Sequence, residues 1–529
     1  MYRKTKKLIR LFPFWKHPRF ILKNINIIKK FLFFCLVISF FIVWAGHASN
    51  AHHDEWVSAK IFPSLALSNG YDLYQTSEGP YLLTIYGPAS AFFFLPVCLG
   101  STPEQSIWIA TFLNLFFAIA FILLVFDSKK SSQRFTVNTE LLCGFACVFI
   151  LSIEKTTTSL FQVHHDLPVL SFLLAASLFL FRKNGSSQTV SLWIACFFIW
   201  LACWSKIIAI PWLMLPFVWA YQNQYALKSK STESSYLIRV FYALLGTGTI
   251  LALIFGFLFG FEDIWFHLFE STNSYPWRSC NSLFGEGEEP FIASNFLSKV
   301  PILFRIILLY LVEYWWLALA CGLIGINNFK SKEGRILLWL VMCYFLSLPT
   351  CLSALAKFGG VANSLVFAHV PAFAALFLQG SKLIDKLVPS DPIKIGVSFM
   401  IAIIPALAGI RMAKAIGKDS SVSPLQLGYE YLLENPNKPV FFALAPLPNY
   451  FATGKIWSSG EALTYTTMIS KDALPKDAGM DGPKEIPLIA FGTPPYSITF
   501  FEKKFNLKPV SSPANLRDWS LFRATPKTE

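Results

Sequence analysis

The chain of 529 residues is 54% hydrophobic and 16% aromatic, and only 14% of its residues are charged. Ordinary soluble domains carry about 25% charged residues, so a water-soluble globule is excluded. The net charge of +14 does not point to nucleic acid, because ten Lys and Arg residues crowd the first 30 positions directly before the first apolar run. Basic residues placed there hold a chain end on the cytoplasmic side.

Apolar runs fall at 31–46, 82–100, 105–126, 139–153, 167–181, 188–204, 207–221, 237–261, 302–326, 335–352, 363–380 and 393–410. Each approaches the roughly 20 residues needed to span hydrocarbon. The first, Phe31–Gly46, reads as a retained span, since Ala45 and Ala48 lead straight into polar sequence instead of a cleavage site. Five basic connections follow, at Lys129, Lys130 and Arg134; Arg182 and Lys183; Lys228, Lys230 and Arg239; Lys330, Lys332 and Arg335; and Lys382 with Lys386. Placing all five in the cytoplasm closes the parity only if one early run does not cross. The run 82–100, broken by Pro88 and Pro96, is that candidate and reads as a re-entrant or surface helix. Eleven crossings result, with twelve as the alternative, so the expected fold is a mainly α, polytopic membrane helix bundle of about 11–13 spans.

After about residue 411 the apolar runs shorten and Pro, Gly, Lys and Asp rise. Helices are expected at Leu425–Glu434, Ser459–Ile469 and Ser497–Lys504, and strands at Pro439–Ala445, Ile486–Phe491 and Ser520–Ala524. That alternation predicts a small extracytoplasmic α/β domain over 411–529, after a basic N-terminus (1–30) and a membrane module (31–410). Most of the ten cysteines lie inside apolar runs, Cys280 being the clear exception, so no disulfide framework is expected.

On the eleven-span arrangement the outer loops collect the polar chemistry: 47–104, 154–166, the break at Trp204-Ser205-Lys206, 262–300 and 353–362. Asp54-Glu55 follows the first span at once, and Asp54 is placed either to cap the helix Trp56–Leu67 or to act as a general base. Asp166 opens another apolar run and either caps it, with Pro168 in its first turn, or pairs with Asp54 across one site. His52, His53, His164 and His165 precede these acids. Imidazole and carboxylate suit a divalent metal such as Mn or Zn, but paired histidines have no diagnostic spacing. Lys206 interrupts a long apolar stretch, Arg278 sits beside Trp277 in a long loop, and Lys357 precedes Gly359-Gly360. Each cation either marks a helix break or binds a phosphate. Tyr71 to Tyr74 and Tyr86 read equally as interfacial anchors.

Three stretches, DEWVSAK, NGYDLY and IYGPASAFFFLP, resemble the first outer loop of the glycosyltransferase C superfamily. The nearest likeness is to bacterial relatives of protein O-mannosyltransferases and lipid A aminoarabinose transferases. Similarly, HHDLPVLSFLLAASL resembles their second acidic loop, WSKIIAIP a lysine-bearing helix start, and KFGGVANSLVFAHVPA a late motif. The resemblance implies Asp54 as catalytic base with Glu55 its neighbour, and Asp166 as a second acid. It further implies Lys206, Arg278 and Lys357 on the donor's phosphate. From the residues themselves, and not from the resemblance, His52, His53 and His165 are the candidates to hold a divalent metal (Mg, Mn or Zn). The doubled histidines and Trp56 depart from the family pattern.

The activity implied is transfer of a sugar from a polyprenyl-phosphate donor to a lipid, glycan or protein acceptor at the outer face of the plasma membrane. The alternative from another class is a transporter or flippase for a lipid-linked or small anionic substrate. That reading asks for ionisable groups in mid-span, whereas the charges here sit mainly at span ends, and no inverted repeat is visible.

Overall fold

The structure, a computed structural model, describes residues 18–74, 80–82, 86–126, 138–181, 188–227, 233–284, 290–291, 296–329, 334–357, 360–388, 390–416, 422–459, 481–492 and 498–527. Among them eight helices are long and apolar enough to cross a membrane: Lys29–Ala51, Pro103–Phe121, Gln188–Ser205, Tyr236–Phe259, Leu297–Asn328, Arg335–Leu355, Ala362–Leu387 and Asp391–Ala415. Two shorter apolar helices, Thr139–Ile153 and Asp166–Phe181, accompany them. The run from 207 is a 3-10 turn, Ile207–Met214, continued by the helix Leu215–Leu227. Each run expected to cross thus has a helical counterpart, and the chain is a multi-pass membrane protein. Most of the basic connections, the expected helix beyond Ser459 and most of the basic N-terminus lie outside the described residues.

Among its described residues, the run 82–100 holds the helix Pro88–Phe93 and the 3-10 turn Leu95–Leu99, parted at Phe94. Six helical residues rise only about 9 Å, far short of a bilayer. This piece is instead buried at the bundle end, where the Ser64 hydroxyl donates to the Ala91 carbonyl at 2.7 Å.

Close helix contacts come from small residues, as expected where neighbouring helices gain little from excluding water. A side chain at Gly46 would overlap Ala413, and one at Gly409 would crowd Val43, so the first and last long helices lie backbone to backbone. The helix Phe296–Asn328 is bent at Tyr314, whose φ of −124° and ψ of 16° leave helical geometry.

The described parts of the loops 52–102, 154–165, 260–296 and 356–361 meet at one end of the bundle. Arg278 N donates to Ala356 O at 3.0 Å, and Trp277 bridges Lys357. Tyr74 packs on Phe259 with ring centroids 5.7 Å apart.

Upon this end sits the C-terminal unit. Four strands, β3 (Phe441–Phe442), β4 (Leu488–Phe491), β5 (Phe505–Val510) and β6 (Ser520–Pro526), form a sheet in the order β3-β4-β6-β5. The β3–β4 pair is parallel and the others antiparallel. β1 (Trp277–Arg278) and β2 (Pro290–Phe291) are a separate two-residue ribbon. Helices Pro424–Glu434 and Ile498–Lys504 match expectation closely. The strand β5 and the helix Pro446–Thr453 were not anticipated. β5 reads NLKPV because it is a sheet edge, where Lys and Pro discourage further pairing.

The unit has its own core of Phe441, Trp457, Ile489, Phe491, Phe501 and Phe505, but that core also contains Tyr81 from the loop before the second span. Tyr81 N donates to Ser458 Oγ at 3.0 Å, and Ser459 N to Tyr81 O at 2.8 Å. The packed unit thus also takes in this part of the first loop, and the last long helix runs past residue 411 to Ile416.

Candidate functional site

Asp54 caps the helix Glu55–Ser68, its Oδ1 accepting from Trp56 N at 2.9 Å. Capping satisfies one of the unpaired amides that every helix start presents. Oδ2 has no hydrogen-bond partner among the described residues, and the side chain is only half-buried. Its neighbour Glu55 faces elsewhere, with its carboxyl against Gly492 of the C-terminal unit. Burial first, then the charge of Asp54, pushes the Glu55 carboxyl up to about 7, against the opposing amide of Gly492.

Asp166 is fully buried at the first position of the helix Asp166–Phe181. A carboxylate there meets the positive end of the helix, yet burial needs direct partners as well. Lys206 Nζ donates to Oδ1 at 2.8 Å. Around Oδ2 lie His164 Nδ1 at 2.8 Å, Ser159 Oγ at 3.2 Å and Asn363 Nδ2 at 3.2 Å. Asn363 Nδ2 also lies 3.1 Å from His164 Nε2. Asp166 N also donates to His164 Nδ1 at 3.3 Å, so both ring nitrogens of His164 are engaged.

Lys206 occupies the extended break between the helix Gln188–Ser205 and the 3-10 turn that follows. Its ammonium lies 5.6 Å from the Tyr86 ring centroid and 5.2 Å from that of Phe367, within cation–π range. Tyr86 in turn stacks on His165 with centroids 3.9 Å apart. Gly87 N donates to Ser205 O at 2.9 Å, and the Gly87 Cα approaches the Trp204 carbonyl so closely that any Cβ would overlap it. Tyr74 OH donates to Tyr86 O at 2.7 Å, and Asp72 holds Tyr74 N at 2.9 Å. Tyr74 and Tyr86, both readable from sequence as membrane anchors, therefore join the first loop to the second around Lys206. Lys60, on the helix that Asp54 caps, lies near enough for its charge to act on both His164 and His165. Burial, more than any neighbouring charge, pushes His165 well below the ordinary imidazole range.

The structure thus brings Asp166, Lys206 and the loop that carries Asp54 together. Arg278 and Lys357 form a separate locus. Arg278 is 2% exposed and donates to three carbonyls: Nε to Leu355 at 2.8 Å, Nη1 to Ser282 at 3.0 Å and Nη2 to Leu283 at 2.6 Å. Lys357 Nζ donates to Thr272 O at 2.5 Å, and burial, with Lys299 nearby, lowers its ammonium to about 8. Both side chains tie the loop 271–284 to the end of the helix Arg335–Leu355.

Nor are the histidines a ligand set. His52 stacks on Trp108 with centroids 4.6 Å apart, while His165 faces Tyr86. Among the described residues no three His, Cys, Asp or Glu side chains are grouped to hold a metal ion. His52, packed on Trp108, and His165, packed on Tyr86, do not fit a shared metal as placed.

Four members of the site escaped sequence reasoning: Ser159, Asn363, Tyr86 and Lys60. Three of them lay within the quoted motifs KFGGVANS, DEWVSAK and IYGPASAFFFLP, which was the one signal present. Behind the site, a buried polar chain crosses the bundle. Tyr314 OH donates to Glu154 Oε1 at 3.0 Å, and Thr156 Oγ1 lies 2.8 Å from His369 Nδ1. His369 Nε2 is 3.2 Å from Tyr310 OH, itself 2.9 Å from Tyr344 OH. It anchors the base of the loop that delivers Ser159, His164 and His165.

No protein-family model matches the sequence, and no curated protein does. Some solved structures are similar to it. One is ArnT from Cupriavidus metallidurans bound to undecaprenyl phosphate, at 10% identity over 93% of this chain and 98% of that chain, with a TM-score of 0.47. Another is the archaeal oligosaccharyltransferase AglB from Archaeoglobus fulgidus in complex with an inhibitory peptide and a dolichol-phosphate, at 10% identity over 92% and 74%, with a TM-score of 0.42. A third, the A. fulgidus oligosaccharyltransferase complex with Zn and sulfate, is 14% identical over 76% of this chain and 53% of that one, with a TM-score of 0.41.

Proposed function

We propose that this protein is an integral-membrane glycosyltransferase that moves a sugar from a polyprenyl-phosphate donor to an acceptor at the outer face. The observation that carries the reading is the docking of the loop 47–104 against the Asp166–Lys206 pair through Tyr86 and Gly87. That docking supports a reading in which Asp54, pinned by Trp56 N, and Lys206 serve the same site. The motif resemblance of the same stretches supports it.

Asp54 is the base. Its Oδ1 is fixed by Trp56 N, and its Oδ2 takes the proton of the acceptor nucleophile. The nucleophile attacks the anomeric carbon with inversion, and the bond to the donor's phosphate oxygen breaks. Lys206 has three N–H donors and gives one to Asp166, which leaves donors for that oxygen. Asp166 orients the ammonium, and His164, Ser159 and Asn363 hold Asp166. Such preorganised charge costs no reorganisation as the phosphate leaves.

Membranes containing the Asp54→Asn variant, supplied with a radiolabelled polyprenyl-phosphate sugar, should lose transfer by about 10²–10⁴-fold, with insertion unchanged. Near wild-type labelling would overturn the assignment.

A further inference from the structure

The C-terminal unit grips the chain on both sides of Asp54. Just before it, the His52 carbonyl accepts a hydrogen bond from Ser423 Oγ at 2.6 Å. Just after it, the Glu55 carboxyl lies against Gly492. Farther along the same helix, Ser58 Oγ accepts from Leu447 N at 3.1 Å. The Phe62 ring meets Tyr450 with centroids 6.2 Å apart, and Asn69 Nδ2, at the C-cap, donates to Tyr450 OH at 2.9 Å. At about 100° per residue, positions 55, 58, 62 and 69 fall within about 60° of one another, so one face of the helix Glu55–Ser68 is given to this unit. A different face carries Ser64, bonded to the Ala91 carbonyl of the short helix Pro88–Phe93. Ser423 is the member of this set that departs from its local role. It stands at the N-cap of the helix Pro424–Glu434, where a serine oxygen ordinarily accepts from a first-turn amide, yet it makes no side-chain cap bond there. The side chain is buried and its hydroxyl is directed to His52 instead.

We propose that Ser423 is a positioning residue for the transfer reaction: by holding the His52 carbonyl it fixes the turn that presents Asp54, and so makes the C-terminal unit part of the catalytic apparatus. The inference rests on the reading of Asp54 as the base. The bond from Trp56 N to Oδ1 lies within the helix start itself, so the carboxylate moves with that helix as one body. What sets the body against the bundle is the turn before it and the face beside it. The first helix ends at Ala51 and the next begins at Glu55, which leaves only His52, His53 and Asp54 between them. His52 is the joint of this turn, its ring resting on Trp108 of the bundle and its carbonyl on the C-terminal unit. Freeing that carbonyl lets the peptide rotate, and a displacement of about 1 Å at a reacting group can cost on the order of 10²-fold in rate. Ser423 neither gives nor takes a proton in the reaction; Asp54 does that alone.

The test supplies the full-length protein in nanodiscs with a radiolabelled polyprenyl-phosphate sugar and follows initial rates against donor concentration. Ser423→Ala should lower kcat by about tenfold or more and leave the donor KM within about twofold of wild type. Ser512→Ala is the matched control, because Ser512 Oγ donates to Trp519 O at 2.7 Å within the same unit, away from the first loop. It should keep the wild-type kcat, and the two variants should unfold at similar temperatures. In the Asp54→Asn background, Ser423→Ala should change the residual rate by less than about twofold, since a group that acts through the base has nothing left to position. Wild-type kcat in Ser423→Ala overturns the inference and leaves the enzyme reading standing. A loss of kcat shared by Ser512→Ala, or found only with an unfolding temperature below that of Ser512→Ala, marks a general weakening of the unit and overturns it too. So does a full further loss in the Asp54→Asn background. Failure of the wild type to transfer sugar from such donors overturns the glycosyltransferase reading, and the inference with it.

Discussion

Asp166 shows how a single residue's partners decide its meaning. Its carboxylate is fully buried and carries four side-chain partners from three separate parts of the chain. Lys206→Met leaves that carboxylate without its counter-charge, which typically costs about 3–5 kcal/mol. The double variant Asp166→Leu, Lys206→Met should be less destabilised than Lys206→Met alone, as thermal unfolding in detergent would show. A double variant no better than the single would deny the pairing. From sequence, Lys206 and Arg278 looked alike, each a cation in or beside apolar surroundings. What separates them is which acceptor the fold brings: a carboxylate 40 residues upstream for one, three carbonyls for the other. Carbonyls carry no sequence signal, so Arg278 read as an anion site. The acids themselves were legible because helix starts at apolar boundaries favour them.

At the scale of elements, the short piece Pro88–Phe93 does more for the site than its length implies. Gly87 precedes it with an unremarkable φ of −76°, so glycine is required for space and not for backbone freedom. Gly87→Ala should push the loop off the Trp204–Ser205 turn, break the 2.9 Å bond to Ser205 and part Tyr86 from His165. We expect transfer to fall by at least about tenfold while the bundle still inserts, since a misplacement of about 1 Å can cost on the order of 10²-fold. Unchanged transfer would show that the docking is not needed. The non-crossing character of 82–100 was readable from Pro88, Pro96 and the parity of the basic loops. Its docking partner was not, because a glycine chosen for close approach looks in sequence like one chosen for a turn.

For the whole molecule, the interface between the bundle end and the C-terminal unit holds a titrating group. Glu55 ionises near pH 7 in the fold because of burial and the charge of Asp54. In the unfolded chain it ionises near its ordinary 4.5. Between those values the folded state keeps a proton that the unfolded state has lost, so stability falls as pH rises from about 4.5 to about 7 and then levels. Glu55→Gln should flatten that fall, read as unfolding temperature at pH 5 and pH 8, with its gain over wild type confined to the higher pH. A gain of equal size at both would remove the titration from the account. The helix bundle was legible from hydropathy, and most of the C-terminal elements from alternation. Their interface was not, since Glu55 and Gly492 lie 437 positions apart, the numbering shows.

Tyr81 carries a consequence in time. It precedes ten of the eleven apolar segments' far ends, yet it lies in a core otherwise built from residues 441–524. During synthesis that ring must wait, unhoused, until nearly all of those residues have been translated. The loop that bears the proposed base is therefore finished last although it is made first. A partly synthesised chain would hold an incomplete site, which delays any chemistry until the whole protein is in place.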